Sequence, residues 1–498
     1  MSPTIEALFA ASGDAVRERV LRAVPWVLFV AAAAIRTVVA THSVDIPGDG
    51  PVHAMYAFEW AQSPVLLESG MWLPGFTYGA GLVTRIVGDP RVAPRLFNVV
   101  VGSATVPLLY GLSRQLYGTA PALVAALLLT LLPLHVGLSA SSLTEPNFVF
   151  ALVAALYGLL RAAAVRPSRP VDLLLFLLAF IWAELSRYEA WLLIPLVVGY
   201  WFSQRRTVWS TGALTVAFLA IPLAWSIGNH SVYGNALLGF SQAVREVDGV
   251  QRVTAWVAAG IVRAGVTRHL GWLVGMVIAW GIATEIVRVG RGRGSSERGV
   301  YLMFTIACWA MLFAFAMSRG ASLWDRYLLL AFAVGLPFAG VGWPAVLSSR
   351  PWGVAGVASV LLLSLVATYV EHPANVFVTA RQPLEIQRLI VWLRSGPYRD
   401  EAILLTQMDW DSTYLPLLAP EWAGRAQTVS NWISDGALRD FVEHDAPALL
   451  ITRAYDAAQR QRAARLLGMA IDDDHRVAEL GSIQIYRLRD VAVRETSR

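Results

Sequence analysis

About eleven runs of predominantly apolar residues punctuate the first 370 positions of this chain, each near the length needed to cross roughly 30 Å of hydrocarbon as a helix. They lie near 22–41, 93–113, 119–138, 146–165, 171–185, 189–203, 208–228, 268–289, 300–318, 327–347 and 353–370. Inside lipid no water satisfies backbone N–H and C=O groups, so such a chain must fold as a bundle of spanning helices. Its 56% hydrophobic and 15% charged residues supply more apolar surface than a water-soluble core could enclose. The 19 tryptophans and 15 tyrosines suit helix ends at two membrane interfaces. The first run follows a polar stretch and lacks an A-x-A cleavage pattern, which predicts a span rather than a cleaved leader.

The formal charge of +5 does not point to nucleic acid, because the arginines stand in short clusters between apolar runs rather than on one basic face. With a cytoplasmic N-terminus carrying Arg17, Arg19 and Arg22, the even-numbered connections hold Arg114, then Arg161, Arg166 and Arg169, then Arg205 and Arg206, then Arg288, Arg291, Arg293 and Arg298, then Arg350. That is the positive-inside pattern. It sends loops 42–92, 139–145 and 229–267 and the tail to the opposite face. The stretch 71–88 is apolar enough to tempt a further span, but counting it would invert the arginine pattern, so it is expected to lie in the interface. The single Cys308, inside an apolar run, excludes an intramolecular disulfide, a four-cysteine zinc site and an iron–sulfur cluster.

Residues 1–370 thus form the membrane domain, and residues 371–498 change to the composition of a small globular one. Strand-like runs at 402–406, 448–452 and 482–488 alternate with helical patterns at 384–395, 435–444 and 456–468, predicting an extracytoplasmic α/β domain. No repeat of the kind found in secondary transporters is evident.

Ionisable residues gather at the connections of one face. In the first long loop, Pro47, Gly48, Gly50 and Pro51 predict a turn that sets Asp49 at the start of a helix, with His53, Tyr56 and Trp60 on the same side. Asp49 there can serve as a general base or merely cap the helix. Glu145 in SASSLTEPNF is costly beside hydrocarbon unless solvated or paired, and its place before Pro146 also suits a helix start. Arg187, followed by Tyr188, interrupts the apolar stretch between the fifth and sixth runs, where Glu184 or Glu189 could pair with it. Arg95 and Arg326 begin the second and tenth runs on the same side. Three arginines against the positive-inside trend suit an anionic ligand, which a guanidinium can hold through two parallel hydrogen bonds. Asp45, Asp49 and His53 could form a weak hard-metal cluster. Asp409 and Asp411 form a D-x-D pair that reads as a solvated turn. No P-loop, nucleophile elbow, H-E-x-x-H or dinucleotide fingerprint is present.

The segments MWLPGFTYGAGLVTRIVGDPRVAPRLFNVVVGSATVPLLYGLSRQLYG, PLHVGLSASSLTEPNFVF, ELSRYEAWLLIP and DRYLLLAFAVGLPFAG, in this order and spacing, resemble the GT-C superfamily of polyprenyl-phosphate-sugar-dependent glycosyltransferases. That superfamily includes protein O-mannosyltransferases of the family 39 type and aminoarabinose transferases. The likeness spans about residues 24–347. It implies that Asp49 is the catalytic base of the first external loop, although Gly50 stands where relatives usually carry glutamate, which leaves Asp45 as a substitute. It implies that Glu145 is the acid of the second external loop, that Arg187 faces the lipid phosphate, and that Arg326 matches the arginine of an R-Y-L-L pattern.

Together these readings predict transfer of a sugar from a polyprenyl phosphate to a lipid, glycan or protein hydroxyl outside a bacterial or archaeal plasma membrane. Inversion with Asp49 as base is the simplest course. The phosphate would sit on Arg187, aided by Arg326 or Arg95, with Glu145 orienting acceptor or donor. No cofactor is required by this scheme, since arginines can replace a metal, though some relatives use a divalent ion. The alternative is a transporter or lipid-linked-sugar flippase, which would call for charges deep in several spans.

Overall fold

The computed structural model describes residues 3–46, 49–66, 70–164, 168–204, 207–239, 241, 253–319, 325–341, 351–376, 384–406, 408–422, 424–429 and 435–489, with side chains from Ala23 onward. The turn at Pro47 and Gly48, Arg166, Arg205, Arg206, Arg350, the end of the tenth run, and the side chains of Arg17, Arg19, Arg22, Asp409 and Asp411 lie outside the described residues.

Helices occupy all eleven expected runs. Among the described residues, six are long and apolar enough to cross a membrane alone: Ala23–His42, Ala93–Tyr117, Glu145–Ala164, Val208–Tyr233, Ala255–Gly290 and Ser296–Ser318. A seventh crossing is the pair Thr119–Leu131 and Pro133–Ser139, bent by 55°. The protein is an integral membrane protein, but length and composition do not confirm eleven crossings. Pro170–Ser186 and Glu189–Ser203 are too short to span about 30 Å unaided.

Two departures from the expected boundaries have local causes. The bend in the third run falls at Leu132, whose ψ of 113° is the extended geometry imposed on a residue before proline. It frees the carbonyls of the preceding turn, and fully buried Arg36 of the first helix donates to those of Leu129 and Thr130 at 3.2 and 3.4 Å. The Tyr369 hydroxyl takes that of Leu131 at 2.8 Å. Among the described residues, the expected loop 229–267 is helical at both ends: one helix runs to Tyr233 and the next starts at Ala255, well before 268. That second helix, Ala255–Gly290, is broken at Gly271 (φ 70°, ψ 146°), where a β-carbon would come within 2.7 Å of Ser364 Oγ.

After the first helix, α1 (Pro3–His42), the loop 42–92 folds into two short helices, α2 (Asp49–Gln62) and α3 (Gly75–Val87). At 13 residues, about 20 Å, α3 is too short to span, and it stops at Gly88 in the left-handed region (φ 81°). Ala57 of α2 packs on Phe76 and Ala80 of α3.

The C-terminal domain is a mixed five-stranded sheet in the order β2-β1-β3-β5-β4, with β1 at Ile403–Thr406, β2 at Ala426–Val429, β3 at Leu449–Arg453, β4 at Arg476–Leu480 and β5 at Ile483–Arg487. β1 runs parallel to β2 and β3, and β5 antiparallel to β3 and β4. The three predicted strands and the helices Leu384–Ser395, Asp435–Asp445 and Ala457–Leu467 are present. The edge strands β2 and β4 are polar and half exposed, so they lack the apolar run that marks a central strand. One face of the sheet buries Ile403, Leu405, Leu449, Ile451, Ile483 and Ile485 together with Ala54 and Met55 of α2. The domain therefore rests directly on the helix that begins with Asp49.

Candidate active site

Four stretches of chain far apart in sequence meet at one open cavity of about 150 Å³. Asp49 and His53 enter from α2, Glu145 from the first turn of Glu145–Ala164, and Arg187 from the break between Pro170–Ser186 and Glu189–Ser203. Arg326 comes from the single 3-10 turn Asp325–Tyr327. Arg187 adopts extended geometry (φ −153°, ψ 145°), which ends one helix and turns its side chain inward.

The charges are interlocked. Arg326 Nη2 lies 2.5 Å from Asp49 Oδ2, and its Nε 3.4 Å from Glu145 Oε1. Arg187 Nη1 lies 2.7 Å from the same Glu145 oxygen, and its Nη2 2.8 Å from Glu189 Oε1. Glu189, the sequence's competing partner, does pair with Arg187, while Glu184 is fully buried elsewhere and neither of its oxygens is hydrogen-bonded among the described residues. Tyr327 places its ring 5.4 and 5.5 Å from the two guanidinium carbons, a cation–π contact to each. Three carboxylates thus face two guanidiniums.

Burial by itself would raise the Asp49 carboxyl, but the neighbouring charges, Arg326 above all, outweigh it and hold the group below its ordinary value. Burial pushes His53 down to about 4, with Asp49 and Glu145 acting the other way. His53 is therefore a neutral imidazole near pH 7, its ring set edge-on against Trp72 at 5.1 Å.

Glu145 is fixed by its surroundings. Asn98 donates to the carbonyls of Ser141 and Leu143 at 2.7 and 2.6 Å, and Asp45 Oδ1 accepts the Ser142 N–H at 2.8 Å. Asp45 does not line the cavity; burial raises its carboxyl, and it serves to brace that turn. A β-carbon on Gly50 would lie 2.8 Å from the Asp45 carboxylate, so the glycine makes room for Asp45. Among the described residues no three His, Cys, Asp or Glu side chains converge on a metal position, so Asp45, Asp49 and His53 do not form the weak cluster envisaged from sequence.

Other expected residues take different places. Arg95 stands outside the cavity and donates to the carbonyls of Ala40, Ser43 and Ala140 at 2.6, 3.0 and 2.7 Å. It ties the second run to the first helix instead of facing a ligand. Tyr188 lines the cavity, but its hydroxyl donates to Met71 O at 2.8 Å and accepts from Trp225 Nε1 at 3.1 Å, holding the segment that covers the site. Tyr56 is 41% exposed and packs on Trp72, so of the face shared by 49, 53 and 56 only the first two reach the cavity. Trp72 and Glu189 were not singled out as site residues from sequence; the W-L-P tripeptide leading into α3 was the available signal for the first.

On the far side of the two arginines lies a second, narrow cleft of about 20 Å³, lined by Phe148, Val149, Met311, Leu312, Phe315 and Leu330. Glu145, Arg187, Glu189, Arg326 and Tyr327 border both spaces. A charged wall thus divides a polar chamber from an apolar one between helices.

Residues 73–227 match the family described as dolichyl-phosphate-mannose-protein mannosyltransferase, a segment that contains Glu145 and Arg187. Among solved structures, the oligosaccharyltransferase of Archaeoglobus fulgidus in complex with zinc and sulfate is 13% identical with a TM-score of 0.60, over 89% of this chain and 69% of that one. The same enzyme with an inhibitory peptide and a dolichol-phosphate is 11% identical with a TM-score of 0.59, over 90% and 71%. ArnT from Cupriavidus metallidurans, bound to undecaprenyl phosphate, is 14% identical with a TM-score of 0.59, over 93% and 98%. At these identities the likeness is one of fold. No curated protein matches the chain by sequence.

Proposed function

We propose, from a chain that has the GT-C glycosyltransferase fold and a mannosyltransferase family match, that it moves a sugar from a polyprenyl phosphate to an acceptor hydroxyl at the extracytoplasmic face. The observation that carries this reading is the charged wall between a polar chamber and an apolar cleft. An amphiphile whose phosphate joins an isoprenoid to a sugar has polar head, charge and tail in that same order. Arg187 and Arg326 would take the phosphate, competing with Glu145, Glu189 and Asp49 for their own guanidiniums.

The competition couples binding to chemistry. Once the phosphate draws Arg326 away, Asp49 loses its largest counter-charge and becomes a stronger base. Asp49 takes the proton of the acceptor hydroxyl as that oxygen bonds to the anomeric carbon. The bond from that carbon to the phosphate oxygen breaks, its electron pair leaving with the phosphate, and the configuration inverts. The guanidiniums stabilise the charge that develops on the leaving phosphate, so no metal step is needed. Glu145, bridging both arginines, spaces them for that work.

The test is transfer of label from polyprenyl-phosphate sugars by the purified protein in detergent, with Asp49→Asn alongside. Transfer by the wild type and its loss in the variant support the proposal. Binding of donor with no transfer by either protein would favour a flippase.

A further inference from the structure

Helix α2 has three working faces. At about 100° per residue, Asp49 and His53 stand about 40° apart, whereas Ala54, Phe58 and Met55 fall at about 140°, 180° and 240° from Asp49. The first pair faces the cavity. The second set enters the core of the soluble domain: Ala54 is fully buried and Met55 is 8% exposed, in one cluster with Ile386, Leu389, Leu415 and Trp422, and Phe58 packs on its edge. Between them, Ala57 meets α3.

A helix of 14 residues is marginal by itself in water, so the place of α2 is set by what it packs on. None of the other cavity-lining charges is held this way. Arg187, Glu145 and Arg326 belong to the membrane helices and their connections, and Arg326 reaches Asp49 from the opposite wall. α3 and Trp72 hold one side of α2 and the soluble domain holds another, so the separation between Asp49 and the arginines depends in part on how that domain seats on α2.

We infer that the C-terminal domain is the positioning half of the active site, with Met55 and Phe58 as positioning residues that hold the Asp49 carboxylate at its working distance from the guanidinium wall. This deepens the transferase reading and rests on Asp49 being the base. A carboxylate misplaced by 1 Å costs about 10²-fold in rate, while a phosphate site built only from the membrane helices is left intact. Domain seating therefore governs turnover, and it reaches donor affinity only through the Asp49–Arg326 pair, whose loosening favours the phosphate.

The experiment uses the full chain in detergent with Met55→Ala, the near-isosteric Met55→Leu, and Leu438→Ala. Leu438 lies in the core on the other face of the sheet, away from α2, and so controls for general loss of domain stability. Amide hydrogen exchange of the 49–62 segment is read together with kcat and donor KM. The expected result for Met55→Ala is faster exchange in α2 and at least about a tenfold fall in kcat, with donor KM unchanged or lower because a loosened Asp49 competes less for Arg326. Met55→Leu restores both, and Leu438→Ala changes neither. Unchanged α2 exchange in Met55→Ala, or an equal effect of Leu438→Ala, overturns the inference. If the wild type transfers no sugar, the base assignment falls, and exchange still decides whether the domain holds α2.

Discussion

Replacing Arg326 with glutamine should move the acid limb of the pH–rate profile upward by about 1 to 3 pH units. The wild-type Asp49 carboxyl lies below its ordinary value, so under the proposed mechanism transfer should lose its base only when the pH falls below about 4. Burial acts on Asp49 in the opposite sense, and Arg326 is its largest counterweight. At 2.5 Å and an effective dielectric near 20, Coulomb's law gives about 7 kcal/mol for the pair, or about 5 pH units at 1.36 kcal/mol each. That is a ceiling. The two side chains are 14% and 18% exposed, and Arg187 remains nearby, which brings the expected displacement to about 1 to 3 units. The assay is kcat/KM for transfer from a labelled polyprenyl-phosphate sugar between about pH 3 and 8, where the acid limb reports the base of the free enzyme. Arg326→Gln will lower the plateau through weaker donor binding, but only the position of the limb is read. Coincident limbs would refute either the ion pair or the role of Asp49.

Three further outcomes are expected. Asp49→Asn should retain donor binding and lose about 10²- to 10⁴-fold in transfer, checked by equilibrium binding beside the turnover assay. Arg187→Ala should weaken donor binding more than Asp49→Asn does, and destabilise the fold by about 3–5 kcal/mol because buried Glu145 is left short of its nearest partner, visible as a lower melting temperature in detergent. Arg36→Met should leave the carbonyls of Leu129 and Thr130 without their donor at the break in the third run, costing about 1–3 kcal/mol for each by the same melting measurement, with donor KM unchanged.

The net balance at the site gives these predictions a common basis. Asp49, Glu145 and Glu189 carry one more negative charge than Arg187 and Arg326 neutralise, with His53 uncharged. An incoming phosphate must therefore displace carboxylates from the guanidiniums instead of filling a vacant positive pocket. On the proposed mechanism, such a site would keep its base masked until the donor arrives. A chelator should leave transfer within about twofold of the untreated rate, because the arginines supply the charge a divalent ion would otherwise bring.

Local pattern was enough for much of the architecture. Apolar runs long enough to enter a membrane, helix starts at Asp49 and Glu145, and the three central strands are properties of short windows, where periodicity and turn chemistry act directly. Asp49, Glu145, Arg187 and Arg326, which converge on the cavity, also stand out in the sequence, since an ionisable group beside hydrocarbon is conspicuous there. Their partners do not. Arg95 shares the facing and charge of Arg187, yet its guanidinium is spent on three carbonyls, and only the packing of the second run against the first helix decides that. Asp45 matched Asp49 as a loop carboxylate, and the close approach of Gly50 turned it into a brace. The seating of the soluble domain on α2 was invisible because Met55 and Phe58 look like ordinary apolar positions in a loop helix.

The sequence alone determined that the chain enters a membrane and that its charges collect at the connections of one face, because burying bare charge or unpaired backbone in lipid is too costly to be placed freely. Which carboxylate meets which guanidinium was decided only by the tertiary structure. Ion pairing at 2.5 to 3.4 Å depends on distances set by packing between segments as far apart as Asp49 and Arg326, and no local window contains both.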